Sequence, residues 1–120
     1  MNDKVASFID EVTDEIERIG ITAGNVADIA AKHGLEDNGL MFRVPGFSHL
    51  WFLWNLTEEA GTAFIDLLNS RDDFTATMCD PMMMLICGGP IPVKMPFAKK
   101  IYDYKKDHIL PIYFEKRRLA

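Results

Sequence analysis

The sequence predicts an α+β fold, about three helices beside a small, mostly antiparallel sheet, and three observations carry that prediction. Apolar residues recur every three or four positions over 3–19 and again over 57–70, and each stretch ends in residues that stop a helix. Phe47 to Leu56 alternates with both faces largely apolar, the pattern of a strand covered on both sides. Past residue 71 the chain is punctuated by Asp80-Pro81 and Gly88-Gly89-Pro90, which cuts it into short extended pieces. With 120 residues, 48% hydrophobic and 26% charged, the chain is too apolar for disorder and of a size to fold as one domain over 1–120.

Residues 3–19 form the first helix. Val5, Phe8, Ile9, Val12, Ile16 and Ile19 make its apolar stripe, Asp10, Glu11, Asp14, Glu15 and Glu17 fall mainly opposite, and Gly20 ends it. Thr22 or Asn25 then caps a short helix through Val26, Ile29 and Ala30, stopped by Gly34. Glu36 to Gly39 reads as a turn, with extended chain over 40–44 and a tight turn at Pro45-Gly46. In the strand that follows, Leu50, Phe52, Trp54 and Leu56 share one face, and Phe47, His49, Trp51 and Leu53 the other.

Thr57 caps a third helix, with Glu58 and Glu59 in the first turn where carboxylates suit the positive end. Its inward face is Ala60, Ala63, Phe64, Leu67 and Leu68. A hairpin over 74–87 is expected next, Phe74 to Cys79 turning at Asp80-Pro81 and returning through Met82. Ile91 to Phe97, with Pro92 and Pro96, reads as an edge strand or polyproline-like piece. A final strand covers 109–115.

Charge is divided unevenly. Residues 1–80 carry five cations against fifteen carboxylates, a balance of −10; residues 81–120 carry eight against three, a balance of +5. The basic C-terminal segment, 98–120, therefore either lies across the acidic helices and neutralises them or meets an anionic partner.

Several function classes find no support. The longest apolar-rich stretches fall far short of the roughly 20 residues that cross a bilayer, and the start Met1-Asn2-Asp3-Lys4 lacks the pattern of a secretion signal, so a cytoplasmic location is expected. Cys79 and Cys87 would not face each other across the hairpin, so no disulfide is expected. No phosphate-binding loop or nucleophile elbow is present, and His33, His49 and His108 lack ligand spacing, so neither metal nor cofactor is implied and no catalytic residue is assigned. Among the histidines His49 is the functional candidate, because it interrupts an apolar run; His108 stands beside Asp107, which could tune it.

Residues 25–35 resemble the first helix and turn of a helix-turn-helix unit, but the chain continues into a turn and extended residues where the recognition helix belongs. Three helices followed by a hairpin likewise resemble the order of a winged helix. That resemblance implies a nucleic-acid-binding regulator using the basic C-terminal segment. The helix before the hairpin carries Glu58, Glu59 and Asp66, a surface that phosphates repel.

Two sets of residues remain. Trp51, Trp54, Met82, Met84 and His49 are read as an apolar face for a second copy, making a homodimer, or for an apolar ligand. Lys99, Lys100, Lys105, Lys106 and Arg117, interleaved with Tyr102, Tyr104 and Tyr113, are read as an anion-binding surface for an acidic protein or a nucleic acid. The function expected is binding without catalysis; a winged-helix-like regulator and a small enzyme using His49 are the alternatives.

Overall fold

Each predicted helix start is present and chemically made. In the computed structural model, which describes residues 2–87 and 95–117, Asn2 caps α1 (Asp3–Arg18) by accepting the Val5 N–H at 2.9 Å. Thr22 and Asn25 cap α2 (Ala23–Lys32) reciprocally, each side chain accepting from the other's backbone N–H. Thr57 caps α3 (Glu58–Ser70) through the Ala60 N–H at 3.2 Å. Caps of this kind satisfy donors that the helix itself leaves without partners.

Val5, Phe8, Val12 and Ile16 of α1 are buried as their spacing predicts, but Ile19 is not. It caps the helix, and its side chain leaves the stripe with 57% of its surface exposed. Gly20 follows at φ +85°, and a Cβ there would stand 2.5 Å from the Tyr113 hydroxyl oxygen. Left-handed geometry and lack of space both require glycine at that point.

The strands form two three-stranded sheets rather than one. The first has the order β2 (Glu36–Arg43), β3 (Leu50–Leu56), β5 (His108–Ile109), with β3 antiparallel to β2 and parallel to β5. β3 is central, as its two-faced apolar pattern predicts, although it starts at Leu50 and leaves Phe47 and His49 in the preceding bend. β2 begins at Glu36 instead of near residue 40, and register shifts after Glu36 absorb the residues read as a turn. The second sheet has the order β1 (Ile21–Thr22), β6 (Ile112–Lys116), β4 (Phe74–Met78), all antiparallel.

The expected hairpin over 74–87 does not form, and with it goes the two-stranded wing. Its second arm is a helix, α4 (Pro81–Cys87). Asp80 accepts the Met82 N–H at 2.9 Å, Pro81 stands at the first helical position where no donor is needed, and unbranched methionines and leucine favour the helix that follows. β4 pairs instead with β6, Phe74 opposite Lys116 through Met78 opposite Ile112. The described residues thus hold four helices, one more than expected. The extended piece expected over 91–97 lies largely outside the described residues, as does the Cys87 side chain; Phe97 forms a parallel bridge with Ile109.

The core lies among α1, α2, α3 and the two sheets, and its largest enclosed side chains are Trp54, Phe8, Phe64 and Phe114. Phe64 and Phe114 meet edge to face at 5.0 Å, joining α3 to β6. Helix α3 sits so close to β2 that a Cβ on Gly61 would overlap the Phe42 ring at 2.0 Å. No helix among the described residues is long and apolar enough to cross a membrane. A radius of gyration of 13.6 Å agrees with the roughly 14 Å that scales to a folded chain of this length.

Candidate anion-binding loop beside a histidine–aspartate pair

The basic segment is a closed loop. Its ends are tied where Phe97 bridges Ile109: the Ala98 N–H donates to the Ile109 carbonyl at 2.7 Å, and the Ile109 N–H to the Pro96 carbonyl at 2.9 Å. The return limb is anchored on β3, with the His108 N–H bonded to the His49 carbonyl and the Leu110 N–H to that of Trp51, both at 2.8 Å. Inside the loop Tyr104 is the organiser. Its hydroxyl accepts the Lys99 N–H and donates to the Lys100 carbonyl, each at 3.2 Å, while its ring stacks on His108 with centroids 3.8 Å apart.

This frame turns Lys99, Lys100, Lys105 and Lys106 outward, all exposed. Lys100 lies over the Tyr102 ring at 4.6 Å, and Tyr102 and Ile101 are themselves more than half exposed. Among the described residues none of these four lysines makes an ion pair. The loop therefore does not neutralise the acidic helices of its own chain. Six of the eight residues read as the anion-binding surface come together here. Arg117 does not: it follows β6 in the other sheet, where its backbone N–H donates to the Asp73 carbonyl at 2.6 Å and its guanidinium to that of Asp72 at 3.1 Å. Tyr113 is also remote, donating its hydroxyl proton to the Ile19 carbonyl.

At the base of the loop Asp107 joins Trp51 of β3 and His49 just before that strand. Its Oδ1 accepts the Trp51 indole N–H at 3.0 Å and lies 2.8 Å from His49 Nδ1. The indole N–H and then His49 hold the Asp107 carboxyl below its ordinary pKa, with partial burial opposing them and the charges of His49 and His108 adding to the effect. Sequence adjacency suggests His108 as the partner of Asp107, but His108 Nδ1 faces the Lys106 carbonyl at 2.7 Å. A carboxylate at Nδ1 favours the tautomer protonated on that nitrogen, with Nε2 as the acceptor. His49 and Asp107 remain 42% and 45% exposed, at the surface rather than in the apolar interior.

Arg43 is a cation that the sequence reading passed over. It pairs with Trp51 across the sheet and lines an open recess of about 450 Å³ ending at Ser48, immediately before His49.

The expected apolar face does not exist as one surface. Trp54 and Met84 are fully enclosed, Trp51 is half-buried with its N–H engaged, and only Met82, at 56%, is exposed. Three consecutive methionines on a strand would alternate sides; on a helix they fan out, so Met84 turns inward and Met82 outward. Leu85 and Ile86 join Met82 in an outward apolar stripe, at 59% and 75% exposure, which helical spacing of 82, 85 and 86 would have disclosed.

Beside α4 lies a groove of about 480 Å³, with Ile19, Ile21, Ile29 and Met83 providing apolar walls and Glu11, Glu15 and Asp28 at its margin. Glu11 already holds Lys32 and His33, which depress its pKa in that order, and Glu15 holds Arg18 at 2.7 Å. Asp28 is exposed and makes no ion pair among the described residues. No group of three metal-ligating side chains occurs among the described residues. The chain matches no protein-family model, no curated protein and no solved structure.

Proposed function

We propose that this chain works by binding rather than catalysis: a small cytoplasmic interaction protein that takes an acidic partner on the loop 97–109 and associates with a second copy. The observation that carries the reading is a loop tied down by Tyr104 and β3, with four exposed lysines that no carboxylate among the described residues engages. Long side chains displayed on an ordered backbone lose less entropy on binding than a free tail would. The stripe Met82, Leu85 and Ile86 supports association, since an uncharged, outward helical face is stabilised by removal from water.

A titration with a fluorescent 20-residue polyglutamate tests the acidic-partner reading. Binding that weakens about tenfold between 50 and 300 mM salt, and is lost in Lys99→Glu/Lys100→Glu/Lys105→Glu/Lys106→Glu, is expected. Equal binding by the quadruple variant removes the reading. Exposed Tyr102 beneath Lys100 favours a second reading in which a single-stranded nucleic acid stacks there. Tighter binding of an oligonucleotide than of polyglutamate, reduced by Tyr102→Ala, is its test. An enzyme using His49 has one supporting observation, the Asp107 contact; the described hydrogen bonds of the His49 ring bring it no nucleophile.

A further inference from the structure

We infer that the chain associates head to tail, the loop 97–109 of one copy entering the groove between α1 and α2 of the next. The inference rests on the reading of the loop as a binder of acidic surfaces and names the acidic surface it meets first. Three features match. The loop presents two exposed large hydrophobic side chains, Ile101 and Tyr102, flanked in sequence by exposed Lys99, Lys100, Lys105 and Lys106, with Lys100 over the Tyr102 ring. The groove presents the reverse, an apolar floor including Ile19, Ile29 and Met83 with carboxylates at its margin.

Charge complementarity extends beyond the rim. Residues 3–32, the stretch from α1 through α2, carry seven carboxylates against Lys4, Arg18 and Lys32, a balance of −4. The segment 97–109 carries four cations against Asp103 and Asp107, a balance of +2. Within one chain the two do not meet, because no loop lysine reaches a carboxylate of its own molecule among the described residues. What is left open in one molecule is complementary between two.

Loop and groove are different surfaces, so the contact is heterologous: every copy keeps one loop and one groove unless the assembly closes on itself. A contact made by one loop is small, and the association is expected to be weak, dependent on concentration and dispersed by salt. An acidic partner on the loop competes with it. Binding that partner and dissociating from another copy then become one event.

The test uses two variants of the full chain. The loop variant carries Lys99→Glu, Lys100→Glu and Ile101→Asp; the groove variant carries Ile19→Lys and Asp28→Lys. All five side chains are exposed, so both variants are expected to melt within about 3 °C of the parent, as surface substitutions usually do. In sedimentation velocity at low salt the parent is expected to show mass rising with concentration and each variant alone to stay monomeric. An equimolar mixture is expected to give a one-to-one complex, because the intact loop of one finds the intact groove of the other.

A monomeric parent overturns the inference. So does a mixture with no complex, or variants that still associate, which would put the interface elsewhere, such as a two-fold contact of α4. Should either variant unfold, Lys100→Glu alone and Asp28→Lys alone replace them, and the mixture is expected to bind at least about tenfold more tightly than either by itself. A parent that binds polyglutamate through its loop yet never self-associates leaves the acidic-partner reading standing and ends this inference together with the self-association reading.

Discussion

Gly61 shows how much one hydrogen atom can decide. Phe42 occupies the volume a Cβ would need, so in Gly61→Ala either the Phe42 ring or α3 itself must shift. In an open helix that substitution adds up to about 1 kcal/mol of stability from propensity alone. Here a loss of about 1–3 kcal/mol is expected from overpacking, read from denaturant midpoints. A neutral or stabilising result would mean that Phe42 swings aside freely.

Asp107 makes a separate prediction about acid. Its carboxyl is held below its ordinary pKa first by the Trp51 N–H and then by His49, so its contribution to stability is complete above the ordinary carboxylate range of about 4. That contribution disappears as pH falls through the depressed value. Asp107→Asn should therefore be less stable than the parent at pH 7, with the gap closing towards pH 3. A gap constant over that range would contradict the assigned contacts. Half exposure keeps the effect small. This junction was illegible beforehand, because residues 49, 51 and 107 meet only when β5 lies parallel to β3. The loop lysines were legible as a cluster of like charge, and their lack of ion pairs among the described residues was not.

At the scale of elements, local rules were read correctly and distant ones were not. Asn25 with Thr22, Thr57, Gly20 and Gly34 act within a few residues, and each starts or ends a helix where spacing places it. The segment 82–87 went the other way. Its apolar run fits a strand or a helix equally, and the choice was made by Asp80 and Pro81 at its start and by β6 taking the β4 edge from more than 30 residues away. Helix α4 also separates residues that composition had grouped. Met84→Ala, which empties a fully enclosed site, is expected to cost about 2–5 kcal/mol. Leu85→Ala, on the outward stripe, is expected to stay within about 0.5 kcal/mol in dilute solution. Equal losses in urea melts would show α4 rotated from the orientation described.

For the molecule as a whole, the division of charge noted in the sequence survives folding. The acidic helices keep most of their carboxylates at the surface, and the basic loop stands on the far edge of the β2–β3–β5 sheet with its cations turned to solvent. An intramolecular neutralisation would have left little for a partner to recognise. What folding changes is the composition of each surface: Arg117 leaves the basic set, Trp54 and Met84 leave the apolar set, and Ile101, Leu85 and Ile86 enter view.

The most direct test of recognition through this loop is a backbone amide NMR map recorded while an acidic peptide is added at low salt. Perturbations concentrated in residues 97–109 and reaching His49 and Trp51 through Asp107 are predicted. Shifts centred on another surface, or none at peptide concentrations of several millimolar, weaker than about 4 kcal/mol of binding free energy, would contradict the account.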